Sequence, residues 1–157
     1  MAVRRVKRSR GGDFVLRIPP PERDVLERLP QMLRELLERD DRTDPALRRL
    51  FPSAYLDDEE ASAEFESVVR DDLVAQRTAA IETMERTLRA PRLTEDELVA
   101  WLAAVNDLRL VLGVRLAVTE ESTPDEFDGD PETRASYRLY TYLSYLEEDV
   151  VEALSSA

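Results

Sequence analysis

The sequence predicts a mainly α-helical bundle around a central buried helix at about residues 94–118, preceded by an N-terminal β-hairpin. The central segment starts with a capping box, in which Thr94 and Glu97 can each bond the other's backbone N–H. Its apolar residues recur at helical spacing on one stripe: Leu98, Trp101, Leu102, Val105, Leu108, Leu112 and Leu116. The opposite side of its second half is also apolar, with Leu110, Val111, Val114 and Val118. A helix that is apolar on two sides is typical of the middle of a bundle.

Residues 3–8 and 13–18 alternate like the two strands of a hairpin. Gly11 and Gly12 lie between them, and paired glycines favour a type I′ turn over residues 10–13. Because an isolated hairpin is barely stable in water, we expect the face with Phe14, Leu16 and Ile18 to lie on the helices. The arginines would then point outward.

Four further helices are predicted, at about residues 21–39, 45–50, 58–89 and 131–154. Pro30 is expected to kink or split the first, and the apolar connector at residues 51–55 should pack under the bundle. The stripe of the long helix contains Phe65, Val68, Val69, Ala79, Ala80, Ile81, Met84 and Leu88, with Asp72 and Gln76 among them. The core stripe of the last helix contains Ala135, Leu139, Tyr142, Leu143, Leu146, Val150 and Leu154.

The length of 157 residues predicts one domain over residues 1–157. Residues 1–18 would form the basic hairpin and residues 21–157 the helical bundle, with a mobile acidic loop at 119–130. The sequence contains no cysteine and no histidine, which excludes disulfides, thiolate ligands and imidazole bases. A di-iron bundle needs histidines, and the acidic loop lacks EF-hand spacing. We therefore expect no catalytic residue, metal or cofactor, and a cytoplasmic protein without membrane spans.

The net charge of −12 is unevenly distributed. Residues 1–18 carry six basic side chains against Asp13 alone, a net +5, so the rest of the chain carries −17. Such an acidic body repels nucleic acid over most of its surface and leaves one basic tip for an anionic partner.

Arg109 interrupts the apolar stripe of the central helix, and Asp72 interrupts that of the helix before it. If these helices pack antiparallel, Asp72 and Arg109 form a buried structural pair; the alternative is a charged ligand pocket.

Gly113 costs about 1 kcal/mol in mid-helix relative to alanine. It predicts a close approach of two helices, with a cofactor contact as the alternative.

Two surfaces are candidates for partner binding. The first is the basic hairpin, with Arg4, Arg5, Lys7, Arg8 and Arg10. It is either a charged strand edge that prevents aggregation, a contact for nucleic acid or a contact for an acidic protein. The second is a face of the last helix with Tyr137, Tyr140 and Val151, which either completes the core or forms a partner patch such as a homodimer contact.

Several motifs resemble an actinobacterial domain-of-unknown-function family. They are Arg10-Gly11-Gly12, residues 44–47 and 49–55, and above all Trp101-Leu102 through residues 106–113 to 118–121. The resemblance covers nearly the whole chain and implies a protein without established enzymatic activity. Part of the family is described as transcriptional regulators in the oxidative-stress response that act through other transcription proteins. Without cysteine, this chain has no thiol switch of its own.

Together these features predict a non-enzymatic regulatory protein that binds another protein, with the transcription machinery as the partner class that the resemblance implies. Contact would be made through the basic hairpin or the tyrosine face. Direct DNA binding by the hairpin is one alternative, and it requires duplex binding at low salt. A carboxylate-only hydrolase is another, and it requires a cleft with paired acids of raised pKa.

Overall fold

A computed structural model describes residues 4–51 and 59–156, with the backbone alone for residues 59–66. It contains strands β1 (Val6–Arg8) and β2 (Phe14–Leu16), helices α1 (Pro20–Arg39), α2 (Pro45–Leu50) and α3 (Glu59–Thr87), strand β3 (Arg92–Leu93), and helices α4 (Glu95–Leu116) and α5 (Pro131–Ser155). A short 3-10 helix, Pro124–Phe127, precedes α5. The predicted mainly α fold with an N-terminal hairpin is confirmed.

Helix α4 is the centre of the core, as predicted. Its capping box is present, with Glu97 N–H 3.2 Å from Thr94 Oγ1 and Thr94 N–H 2.9 Å from Glu97 Oε1. Trp101 and Leu108 are fully buried, and the Trp101 Nε1–H donates to Thr87 Oγ1 on α3 at 2.7 Å. The helix ends at Ala117, whose left-handed backbone lets its N–H bond carbonyls of the last turn.

The small sheet has the order β1-β2-β3, with both pairs antiparallel. The predicted type I′ turn is wrong, because that turn needs two positive φ angles and only Gly12 (φ 95°) has one. The Gly12 N–H instead donates to Ser9 C=O at 3.1 Å, and the Ser9 N–H donates to Asp13 C=O at 2.7 Å. Glycine at position 12 therefore supplies the one unusual backbone angle of a longer connection.

Strand β3 was not expected from the sequence. Two residues between Pro91 and the cap of α4 carry little local signal, and the strand exists because β2 offers its second edge. Leu93 pairs with Phe14 and Arg92 with Val15. Leu93 and Phe14 are both fully buried, so the hairpin is held on the helices by its apolar face as predicted.

The first two helices agree with the predicted boundaries. Helix α1 continues through Pro30, so the proline does not split it. Helix α2 starts at an Asp44 cap, whose carboxylate accepts from Ala46 N–H at 2.9 Å and from both Nη atoms of Arg115 at 2.7 and 2.8 Å. The Arg115 bond holds the pKa of Asp44 down to about 2. Phe51 is buried after α2, and residues 52–55 of the predicted connector lie outside the described residues.

Among the described side chains of helix α3, the buried apolar ones lie in its second half. Ala80, Ile81, Met84 and Leu88 lie in the core, but Val68 is 69% exposed and Ala79 is exposed, contrary to the predicted stripe. The side chain of Phe65 lies outside the described residues.

Helix α5 packs against α4 and buries Leu143, Leu146, Val150 and Ala153. Ala135 is exposed, so its assignment to the core stripe is wrong. Residues 119–130 contain the 3-10 helix, and Phe127 at its end is buried with its ring stacked on Tyr137 at a centroid distance of 4.4 Å. The acidic loop is therefore attached to α5 by an aromatic contact.

Candidate interaction surfaces

The three-stranded sheet has one buried and one outward face, which follow from the cross-strand register. Val6, Phe14 and Leu93 point into the core. Lys7 pairs with Val15 and Val15 with Arg92, so these three side chains form a row across the outward face. Lys7 and Arg92 are exposed and Val15 is half-buried.

Arg5 is not free for a partner, contrary to the expectation that the hairpin arginines point outward. Its Nε and Nη2 lie 2.5 and 3.2 Å from the two carboxylate oxygens of Glu22 on α1, and its backbone N–H donates to Asp149 on α5 at 3.0 Å. The guanidinium also lies over the Tyr142 ring, at 5.1 Å. Its hydrogen bond lowers the pKa of Glu22. Arg5 therefore attaches the sheet to α1 and α5.

Arg4 and Arg8 also contact the chain's own helices. Arg4 forms an ion pair with Glu152 of α5. Arg8 lies over the Phe14 ring at 4.7 Å, and its Nη2 is 3.4 Å from the Leu154 carbonyl oxygen and 4.0 Å from a carboxylate oxygen of Glu95. Three of the five predicted hairpin cations thus contribute to internal contacts.

The remaining hairpin cations, Lys7 and Arg10, are exposed and have no ion pair with the side chains described for residues 4–51 and 67–156. Arg17 and Arg92 share this property, and Arg92 makes only a 3.4 Å bond to Ser9 Oγ. We call these four cations, with Val15 among them, the cationic face. No sequence pattern indicated Arg92, because this residue joins the hairpin only through β3. Arg17 alternates with Val15 on the outward face, and that alternation could have added it to the predicted site.

Tyr137 and Tyr140 are half-buried and take part in packing within the chain. Tyr137 stacks on Phe127, and a Cβ built on Gly113 would lie 3.3 Å from Tyr140 Cε2. The predicted close approach of two helices at Gly113 is therefore confirmed.

Tyr140 also lines a surface groove of about 620 Å³ with Arg49, Arg109, Gly113 and the apolar second half of α4. Val151 is 44% exposed.

The predicted buried pair of Asp72 and Arg109 is wrong. Asp72 is exposed and accepts from Gln76 at 3.4 Å on its own helix. Arg109 is half-exposed, with Nε 2.7 Å from Ser144 Oγ and 3.7 Å from a carboxylate oxygen of Glu147. The prediction failed because Asp72 lies on the exposed side of α3, while the adjacent Leu73 and Val74 pack against the core.

The buried charge on α4 is Asp107, whose side chain is 5% exposed. Its Oδ2 lies 3.7 Å from Arg77 Nη1 on α3 and has no hydrogen-bond partner among the described residues. Burial raises the pKa of Asp107 to about 6, and Arg77 opposes that shift. The burial of Asp107 could have been predicted from the sequence, because helical spacing places it on the same side of the helix as Ala104 and Val111.

Arg77 links the buried Asp107 to the end of α2. It donates to the Leu50 carbonyl at the end of α2, and its guanidinium lies 5.2 Å from the Phe51 ring centroid. Arg70 lies over the same ring at 4.9 Å and bonds Asp40. Asp107 is thus buried beside a cation. The hydrolase alternative requires a different arrangement, in which two carboxyl groups lie together in a cleft.

Within the described ranges, no group of three or more acidic side chains is arranged to hold a metal ion. No helix in that part of the chain has the length and apolar character needed to cross a membrane.

A family model described as "Domain of unknown function (DUF2017)" matches residues 3–154, so the chain belongs to this family. The chain is similar to proteins named oxidative stress regulator AosR from Mycobacterium bovis and Mycobacterium tuberculosis. The identity is 35% over 128 residues, which cover 71% of this chain and 58% of the length of those relatives. The resemblance found in the sequence is thereby confirmed. No solved structure matches the chain.

Proposed function

We propose that this protein is a non-enzymatic regulator that binds another protein through the cationic face. One observation carries the proposal: Lys7, Arg10, Arg17 and Arg92 are exposed without ion pairs in the described structure, whereas the arginines beside them contact the chain's own helices. The relatives are named regulators, which supports the regulatory part of the proposal. The family resemblance implies a partner from the transcription machinery.

A protein partner is favoured over nucleic acid by the charge distribution. The body outside the first eighteen residues carries −17, and three of the hairpin arginines already neutralise its carboxylates. A duplex carries one negative charge per about 1.7 Å of its axis, so it would bring many phosphates against the acidic body to reach four cations. A protein segment can present a few carboxylates to the four cations and keep its other charges away from the body.

The groove beside Tyr140 is a second candidate surface. Arg49 and Arg109 line it together with Glu120 and the aliphatic side chains Leu110, Val114 and Val118. Such a lining suits an apolar partner segment with an acidic group near the two arginines. It ranks second because Arg109 already contacts Ser144 and Glu147.

Affinity capture with the full chain tests the proposal. The variant changes the four cations of the cationic face to serine (K7S/R10S/R17S/R92S). The matched control changes four exposed arginines elsewhere (R28S/R42S/R48S/R138S), which alters the net charge equally. Circular dichroism and the thermal midpoint establish that both remain folded.

We expect a protein from an actinobacterial lysate to be retained by wild type and control and lost from the variant. Retention by all three would contradict the proposal. Recovery of nucleic acid alone, with duplex binding that weakens steeply with salt, would favour the DNA alternative.

A further inference from the structure

We infer that the cationic face binds an acidic amphipathic helix, with two carboxylates two turns apart and an apolar residue between them. This inference rests on the proposed function and adds the conformation and spacing of the partner segment. It follows from the cross-strand row formed by Lys7, Val15 and Arg92.

The pairing of Lys7, Val15 and Arg92 sets the distance between the two cations. Paired residues on antiparallel strands are about 4.5–5.5 Å apart, so the Cα atoms of Lys7 and Arg92 are about 10 Å apart with Val15 midway. The outward face therefore presents a cation, an aliphatic side chain and a second cation in line.

A helix matches this pattern and an extended segment does not. In a helix, residues i and i+7 are about 10.5 Å apart on one face, and residue i+4 lies between them on that face. In a strand, the residue about 10 Å away is i+3, which points to the opposite face. The partner segment is thus expected to read Glu-x-x-x-Leu-x-x-Glu, with aspartate or another aliphatic residue as equivalents.

Val15 distinguishes this partner from a duplex. It is half-buried at the middle of the row, where a phosphate backbone would offer it no apolar contact and a leucine on a helix would cover it. Arg10 and Arg17 flank the row, and they would attract further acidic residues of the same segment.

The test measures binding of labelled peptides to the full chain by fluorescence polarisation. The striped peptide is a 20-residue alanine-based helix with the Glu-x-x-x-Leu-x-x-Glu pattern. A second peptide has the same composition with these residues scattered around the helix, a third replaces two off-face alanines by proline, and a fourth replaces the leucine by glutamine. An ionic strength of about 0.1 M screens charges more than about 10 Å away, so the acidic body contributes little.

We expect the striped peptide to bind about tenfold more tightly than the scattered and proline peptides, and the glutamine peptide to be weakened as well. K7S/R92S should weaken its binding about tenfold, the combined effect of two exposed charge pairs. The matched control R28S/R138S should leave its affinity unchanged.

Equal binding of the striped and scattered peptides would show that charge alone matters and overturn the inference. Equal binding of the proline and striped peptides would show that binding does not need a helix, and this result would also overturn the inference. If no peptide binds while K7S/R10S/R17S/R92S still loses its partner in affinity capture, the helix inference fails and the proposed function stands. If capture is also unaffected by that variant, both fail.

Discussion

Replacing the buried carboxylate on α4 by a neutral amide, Asp107→Asn, should stabilise the protein at neutral pH. Asp107 is almost fully buried, its Oδ2 has no hydrogen-bond partner among the described residues, and burial raises its pKa from 3.8 to about 6. Arg77 at 3.7 Å compensates only part of the desolvation. Asparagine has nearly the same shape and never carries the charge.

The sign and size of the stability difference between D107N and wild type follow from the pKa of Asp107 in the folded and unfolded states. Between pH 4 and 6 the unfolded chain has released the Asp107 proton and the folded chain still holds it, so wild type loses stability as the pH rises. A difference of about two pKa units corresponds to about 3 kcal/mol, an order-of-magnitude value. The free energy of unfolding of D107N minus that of wild type should therefore rise from near zero at pH 4 to about 3 kcal/mol at pH 7.

Urea denaturation followed by circular dichroism at pH 4, 5, 6 and 7 measures this difference. The exposed carboxylate Asp72 on α3 offers a control, and D72N should differ from wild type by less than about 0.5 kcal/mol at each pH. If D107N is less stable than wild type at pH 7, or if the difference does not depend on pH, burial does not raise the pKa of Asp107 and the reasoning fails.

Two further predictions concern contacts of the central helix. Thr87→Val should cost about 1–3 kcal/mol, because the buried Trp101 N–H loses its 2.7 Å acceptor. Thr87→Ser should keep most of the stability; urea titrations followed by the fluorescence of Trp101, the one tryptophan in the sequence, compare the two. Gly113→Leu should destabilise by about 1–3 kcal/mol, because Tyr140 already lies 3.3 Å from the position of a Cβ. In a Tyr140→Ala background this cost should largely disappear, and an unchanged cost in thermal or urea unfolding would show that Tyr140 is not the obstacle.

Features that depend on a few neighbouring residues could be predicted from the sequence. The capping box of α4, the Asp44 cap of α2 and the Asp130 cap of α5 each involve a side chain and a backbone N–H two or three residues away. The close approach at Gly113 was also predictable, because a mid-helix glycine is costly unless something needs the space. All four are present in the structure.

Features that depend on the orientation of one element relative to another could not be predicted in the same way. The stripe of α3 was assigned as if the whole helix were buried, and this placed Asp72 opposite Arg109. In the structure Asp72 is exposed, and α3 brings Arg77 to Asp107 instead. Strand β3 likewise depends on an edge of β2, and without it Arg92 has no visible relation to the hairpin.

The internal arginine contacts determine how the cationic face can be tested. An isolated hairpin of three-residue strands is not stable in water, and Arg4, Arg5 and Arg8 join this one to the helices. Changing Arg5 would leave the half-buried carboxylate of Glu22 without its cation, a change that commonly costs stability. A variant that removes Arg4, Arg5, Lys7 and Arg8 together therefore combines loss of binding with loosening of the sheet. Substitutions confined to Lys7, Arg10, Arg17 and Arg92 separate recognition from folding, because these side chains are exposed and make no ion pair with the side chains that the structure describes.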